Sequence, residues 1–518
     1  MSTSIIVGII LVLYIVGLVI FTNRGFKEVT GLTEFTTSGH RLGLVFTVAA
    51  FVATWVSASS VTGIPSMLFS QGMATVTGWF AGWFFATTLM AVVAYKIRMP
   101  ERPSRTLAEF FKMRYEPYAE RSGLQVIAAI SVCAAYTAYI VLQIKAVGMI
   151  VSTVTGLPYA IAVFAFLLFL AYTASGGMWT VAWGDLVNTS LIVVGLFIGG
   201  GIILAKVGGW SNMWQGIGSM TAPALAGGKP IAQGALLNPL GTFGAAAMLG
   251  IFLSNSLGGA VSPHMTARMM GARNTKTAML MCLYGIGLIF LCFIPLLIFG
   301  FGGRVLIETM PVGKGTDWLM PTLLMNYMPP VIGGIVLAAI LAAALSTANA
   351  QLLHNSLAFT YDIVRNVSKK PIEEKQFMKL TRILIIVVGI LLTVAAIWPP
   401  EFIAMLAAWT HGLWCSTFFI PLLLGLYWKR MNRQAAYVSM ILGTLSFVVI
   451  YQAWNVLWGI PAILWSVIIS IASAVICSYA FEPAPKECWE PYFKAEISPS
   501  TEEAVSIALK ERELKGVA

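Results

Sequence analysis

The sequence contains a long series of apolar stretches, each near the ~20 residues that a helix needs to cross the hydrocarbon of a bilayer. They run roughly 4–22, 43–71, 73–96, 124–154, 158–175, 180–206, 241–264, 277–302, 331–364, 380–398, 401–428, 435–453 and 458–481, so thirteen spans are expected. Gly, Pro and charge clusters separate them. Unpaired backbone groups are not tolerated in lipid, and strand-like alternation is absent, so the stretches read as helices. Composition agrees: 58% of the 518 residues are hydrophobic and 10% charged. A soluble domain has about 45–50% and about 25%. So few charges cannot cover a soluble surface of this size. Secreted, nucleic-acid-binding and ordinary cytosolic classes are excluded, and an all-α polytopic protein of the cell membrane is expected.

Charge placement gives an orientation. With the N-terminus outside, the inner loops hold Arg24, Lys27 and Arg41, the basic residues from Lys96 to Arg121, then Arg268, Arg273 and Lys276. They also take the basic residues from Arg365 to Arg382, Lys429, Arg430, Arg433 and the tail from Lys486. Outer loops and helix edges keep only Lys206, Lys229, Arg304 and Lys314. This is the asymmetry of the positive-inside rule, and it puts the C-terminus in the cytoplasm. The net charge of +11 is then topology, with no nucleic-acid partner. The run from about residue 5 to 20 lacks a preceding basic residue and a cleavage site, so it is expected to stay as the first helix. Cys133, Cys282, Cys292, Cys415 and Cys477 lie in apolar runs and Cys488 in the tail; none forms a CxxC pair. Paired carboxylates, a nucleotide loop and a nucleophile–base set are absent, so no enzyme activity is expected.

Only Lys145 and Asp185 fall well inside expected spans, with Asp362 and Glu401 at span ends. Ionisable groups at such depth are costly and point to function. Two spans are interrupted by polar and helix-breaking residues. The second carries Ser57, Ser59, Ser60, Thr62, Gly63 and Pro65, and the seventh runs Ser254-Asn-Ser-Leu-Gly-Gly-Ala-Val-Ser-Pro263. Pro removes a donor from the helical ladder, and Ser and Gly loosen it. Interruptions about 190 residues apart suit corresponding members of two five-helix repeats, about 43–206 and 241–428, in inverted orientation. Simple kinking of two helices is the other reading. In the ninth span Ala343, Ser346 and Thr347 share one helix face. Two hydroxyls opposite the freed carbonyls of the second span would make an all-oxygen cage for a monovalent cation. Alternatively they bond back to the preceding turn.

Several segments together resemble the sodium/solute symporter family: Gly39-His-Arg-Leu-Gly43, Gly63-Ile-Pro65, Tyr172-Thr-Ala-Ser-Gly-Gly-Met-Trp-Thr-Val-Ala-Trp-Gly-Asp185, and Pro263-His264 with Arg268. Leu345-Ser-Thr-Ala-Asn-Ala-Gln-Leu-Leu353 and Gly425-Leu-Tyr-Trp-Lys-Arg430 complete the set, across about 36–434. The resemblance implies a leucine-transporter-type 5+5 inverted repeat with one extra N-terminal and two extra C-terminal helices. The segments would be 1–35, a core at 36–434, two helices at 435–481 and a tail at 482–518. It implies a co-transported sodium held by the carbonyls of Ala53, Val56 and Ala343 and the hydroxyls of Ser346 and Thr347. Asp185 would serve a second sodium, an inner ion path or a structural hydrogen bond. The usual hydroxyl partners of the second ion are replaced by Asn349 and Ala350. Solute contacts would come from Ser57, Ser60, Trp79 and Asn255, with core packing the alternative for Trp79.

The segments Ser346–Leu353, Pro399–Glu401 and Gly156–Tyr159 look most like the pantothenate and monocarboxylate branches. Trp55 stands where the proline branch has an acidic residue. Lys145 departs from the family pattern. It lies eleven residues before Gly156, about 16 Å from the outer end, too deep for easy snorkelling. It could neutralise an anionic solute, titrate to carry a proton, or pair with carbonyls or with Asp185. His411 reads as a packed histidine before a ligand. The expected function is sodium-coupled import of a small organic solute, a monocarboxylate such as pantothenate or a short organic acid. A proton- or sodium-coupled amino-acid carrier using Lys145, a channel and a membrane sensor are the alternatives.

Overall fold

A computed structural model describes residues 3–220, 232–241, 244–307, 310, 314–368, 372–399 and 403–493, without the side chains of 170–175. Glu401 and most of the tail lie outside these residues. The described chain is almost wholly helical. In order come α1 (Thr3–Lys27), α2 (Leu44–Trp55), α3 (Ser59–Gln71), α4 (Val76–Ile97), α5 (Leu107–Tyr115) and α6 (Gly123–Thr155). Then follow α7 (Tyr159–Phe169), α8 (Gly176–Val207), α9 (Gly244–Gly271), α10 (Thr275–Leu306) and α11 (Pro330–Arg365). The last four are α12 (Glu374–Ala395), α13 (Ile403–Tyr427), α14 (Arg433–Ala453) and α15 (Ala462–Ala480). A two-stranded turn, Val456–Leu457 with Ile460–Pro461, joins α14 to α15.

Among the described residues eleven helices are long and apolar enough to span a membrane, or twelve when α2 and α3, bent by 47°, count as one. The sequence led to an expectation of thirteen. The difference lies at 158–175, where the spanning helix is only the shorter α7. The reason is local. The helix continues through 180–206 with no loop, kinked at Gly177 (φ 57°, ψ −151°), so the two expected spans meet at one residue. The left-handed φ suits glycine, and a Cβ there would lie 2.6 Å from the carbonyl oxygen of Phe35.

The most buried spans are α11 and α13, and α11 packs on α1, α2, α6 and α8. That burial explains its lack of an outward apolar face: it meets protein all round. Exposed apolar side chains instead line α1, α12 and α15, including Leu13, Leu391 and Ile476, as expected where the solvent is lipid. The two interrupted spans, α2–α3 and α9, are tied at their basic ends. Leu42 N–H donates to Gly271 O (3.2 Å), and Arg273 N–H donates to Leu42 O (3.0 Å). His40, in the connection before α2, lies 2.7 Å from Met270 O through Nδ1. Burial lowers the His40 imidazole to about 4, so it is neutral near pH 7 and its Nδ1–H donates to that carbonyl.

Close approach of α9 and α13 depends on Gly258, where a Cβ would sit 1.8 Å from the carbonyl oxygen of His411. Backbone cannot give way as a side chain can. Gly258→Ala is therefore expected to destabilise the fold by about 1–3 kcal/mol, the range for overpacking. Thermal unfolding in detergent checks this, and an unchanged midpoint would contradict the contact.

Candidate functional site

The site forms where α2 stops. In a continuous helix the N–H groups of Ser57, Ala58 and Ser60 would bond the carbonyls of Ala53, Thr54 and Val56. Here Val56 leaves helical geometry (φ −80°, ψ 73°). Ser57 N–H donates to Trp55 O and Ser60 N–H to Ser57 O, both at 3.0 Å. Ala58 N–H turns to Gln143 Oε1 on α6, also at 3.0 Å. The carbonyls of Ala53, Thr54 and Val56 thereby lose their ladder donors.

The hydroxyls of α11 reach into this gap. Ser346 Oγ lies 2.8 Å from Ala53 O and 3.1 Å from Ala343 O. Thr347 Oγ1 lies 3.1 Å from Ala343 O, 3.2 Å from Thr54 O and 3.5 Å from Ala53 O. Both sequence readings coexist in this one geometry: each hydroxyl bonds back to its own helix and across to α2. Five oxygens converge, those of Ala53, Thr54, Ala343, Ser346 and Thr347. A hydroxyl has one proton but two lone pairs, so each can also turn a lone pair to a cation. Val56 shares the break, but among the described residues it makes no hydrogen bond with the two hydroxyls. Thr54 was not anticipated from sequence. Its carbonyl is freed only because Ala58 N–H finds Gln143, a partner 85 positions away.

A buried ion pair supports this cluster. Arg268 Nη2 on α9 lies 2.7 Å from Asp185 Oδ2 on α8 and 3.1 Å from Thr54 Oγ1. The two side chains are 0% and 1% exposed. Arg268 was counted as an inner-loop charge; the fold instead buries it, because the half-helix after Pro263 points back into the bundle. Asp185 Oδ1 has no hydrogen-bond partner among the described residues.

The expected solute residues are partly gathered. Thr54, Trp55, Trp83, Tyr139, His264 and His411 line an internal cavity of about 10 Å³, roughly one water's worth. Asn255 Oδ1 accepts from Trp83 Nε1–H (3.0 Å) and lies 3.2 Å from His411 Nδ1, so Asn255 braces this wall. Ser57 reaches it through Ser59 (2.8 Å), which is 3.4 Å from the Tyr139 hydroxyl. Ser60 Oγ donates to Trp55 O at 3.0 Å. Trp79 is fully buried one turn before Trp83 and is not among the lining residues. Lys145 is elsewhere: its Nζ lies 2.6 Å from Asp317 Oδ2, which also accepts Ile403 N–H at 3.3 Å. The lysine thus already has a carboxylate partner, and that partner is not Asp185. Sequence reasoning missed Tyr139, Gln143 and Asp317, and it named His264 in a resembling segment without a role. The spacing of His264 and Arg268 at i and i+4 after a helix-starting proline was a usable signal; the others gave none.

Residues 35–443 match the Sodium:solute symporter family. The chain belongs to that family. It is 26% identical to the sodium/pantothenate symporter of Escherichia coli K12, over 87% of this chain and 91% of the relative. It is 25% identical to the sodium/proline symporter of the same organism, over 84% and 86%. A solved structure of a sodium-coupled sialic acid symporter, substrate-bound and outward-open, superposes with TM-score 0.74 at 19% identity, covering 93% of this chain and 99% of that one. A structure of MhsT with L-phenylalanine gives TM-score 0.51 at 13% identity, covering 84% and 98%. The fold is of the leucine-transporter type. The chain is a transmembrane symporter that carries sodium with a small solute.

Removing one partner of a buried ion pair leaves an uncompensated charge, at a cost of about 3–5 kcal/mol. Arg268→Met alone is therefore expected to destabilise by about that much, while Asp185→Leu with Arg268→Met recovers most of the loss. Melting curves of both variants check this; equal losses would show that the pair does not act as a unit.

Proposed function

We propose that this chain imports a small monocarboxylate, in the class of pantothenate or a short organic acid, together with sodium bound at the α2–α11 oxygen cluster. The observation that carries the reading is the approach of the Ser346 and Thr347 hydroxyls to the freed carbonyls of Ala53 and Thr54. Neutral oxygens suit a monovalent ion that must bind and then leave. Val56 O, released by the same turn, is our sixth ligand, and Asp185 lies on the ion's inward path.

For the solute, Trp55, Trp83 and Tyr139 offer apolar faces, and Ser57, Ser60, Asn255 and His411 offer a few polar groups. That mixture suits a small organic molecule. The named relatives, pantothenate and proline symporters, both carry carboxylates. The cavity is too small for such a solute, so helices must part to admit it. We assign the Lys145–Asp317 pair to the closure on the outer side, with Trp79 packing behind the pocket.

The basic end of the bundle is placed in the cytoplasm and the N-terminus outside, by the positive-inside rule. The transport core is placed at 36–434, with repeats of about 43–206 and 241–428.

The test is uptake in proteoliposomes of carboxylates, amino acids and sugars, with and without an inward sodium gradient. A carboxylate is expected to win the panel and to need sodium. Ser346→Ala with Thr347→Ala is expected to raise the half-saturating sodium concentration about tenfold or more, a loss of about 1.4 kcal/mol or more in ion binding. Unaltered sodium dependence in the double variant would remove the oxygen cluster as the ion site. Preference for neutral sugars would remove the monocarboxylate reading.

A further inference from the structure

Beyond this site, the helix that supplies the two hydroxyls holds a second group of buried oxygens near the basic end. Asp362 lies fifteen residues after Thr347 on α11, so about 20 Å along the axis. It is 1% exposed. Its Oδ1 accepts from Thr106 Oγ1 and from Gln125 Nε2, both at 2.7 Å. Its Oδ2 is buried and has no hydrogen-bond partner among the described residues. Gln125, on α6 and 3% exposed, leaves its own Oε1 equally buried and without a partner among the described residues.

Two neighbouring acceptors without donors are a specific pattern. A buried carboxylate is expensive unless paired, and an orphaned acceptor adds a desolvation cost. Nearby cations are engaged with other groups. Arg105 bonds the Tyr361 hydroxyl (2.9 Å) and Thr33 Oγ1 (3.1 Å), and Arg365 lies over the Tyr361 ring at 5.1 Å. The Glu109 carboxylate takes the Tyr361 hydroxyl (2.6 Å) and the backbone N–H of Arg105 (2.6 Å). Among the described ion pairs Asp362 has none. The end of α11, Ala358–Arg365, is π-helical, a local winding often found at functional sites.

The position fits a route. His264 lines the central cavity, and its neighbour Pro263 lines a second small cavity with His354 and Asp362. Gln125, the partner of Asp362, lines a third cavity of about 520 Å³ together with Glu109, Tyr361 and Arg365. Asp362 and Gln125 thus stand between the enclosed middle of the bundle and the large cavity at its basic end.

We propose that Asp362 and Gln125, with Thr106 beside them, form a second site for a monovalent cation, which sodium occupies on its way from the α2–α11 cluster to the cytoplasm. The ligands are one carboxylate and neutral oxygens, which suits a hard ion of single charge. The proposal rests on sodium coupling as argued above. Binding of radiolabelled sodium to the purified full chain tests it. Two classes of site are expected in the unaltered protein. Asp362→Asn is expected to weaken one class about tenfold or more, while Ser346→Ala with Thr347→Ala weakens the other. Gln125→Met should act on the same class as Asp362→Asn, and it keeps the test open if that variant does not fold. Sodium binding by Asp362→Asn and Gln125→Met indistinguishable from the unaltered chain would overturn the second site and leave the first intact. So would a change confined to the pH dependence of binding, which would make Asp362 a proton site. No sodium binding by the unaltered chain would instead remove the coupling reading itself.

Discussion

A backbone break in the middle of a membrane bundle is the constraint on which the rest of this structure depends. Water cannot satisfy the freed carbonyls and N–H groups there, so other parts of the protein must. At Val56–Ser57 the solution is shared among three helices. Gln143 of α6 accepts the stray Ala58 N–H, and Ser346 and Thr347 of α11 reach the stray carbonyls. Satisfying the break and gathering the oxygens of the proposed ion site are therefore the same act. The α11 helix must be buried on all sides, and its residues from 336 to 350 are all buried. Gln143 must also face inward, although a glutamine in a lipid-facing position would be costly.

The same reasoning accounts for the buried charges. Arg268 is acceptable because Asp185 and Thr54 share it, and Lys145 because Asp317 comes back from a connecting segment to meet it. Arg304 lies over the Phe69 ring at 4.6 Å, which replaces some of its lost hydration. Among the described buried carboxylates Asp362 departs from this rule, with two neutral donors and no cation. That asymmetry sets it apart from the charges with structural partners.

Much of the architecture was legible because lipid imposes long, nearly uncharged helices, and those leave a plain mark on a linear sequence. Both interrupted spans announced themselves through Ser, Gly and Pro, and the small-residue face of α11 through i, i+3 spacing. The stretch at 158–175 shows the limit: α7 is shorter than a full span, one glycine with φ 57° stands where a loop was expected, and no composition signal separates a kink from a boundary. In the candidate site, residues on the breaks could be named because the breaks could be seen. Partners from α6 could not. Gln143 and Tyr139 sit in an ordinary apolar run, and their importance depends on which face of α6 turns to α2. Asp317 was out of reach for a different reason. It belongs to a connection outside any span, and only the return of that connection brings it to Lys145.

With sodium at the proposed cluster, the geometry links one ion to a larger motion. The oxygen cluster is not contained in one helix: two carbonyls come from α2, and one carbonyl with both hydroxyls comes from α11. A cation shared between them favours arrangements in which α2 and α11 stay together and opposes those in which they separate. The proposed solute pocket begins on the same segment, with Trp55 lining the cavity and Ser57 next to the break. Anything that fixes the course of residues 53–57 acts on both sites. A solute that stabilises this course strengthens ion binding by the same factor by which the ion strengthens solute binding, since coupling free energy is reciprocal. Coupling then needs no charge relay between the two ligands. It needs only that five consecutive residues have one backbone course when both are bound and a less favourable one when either has left.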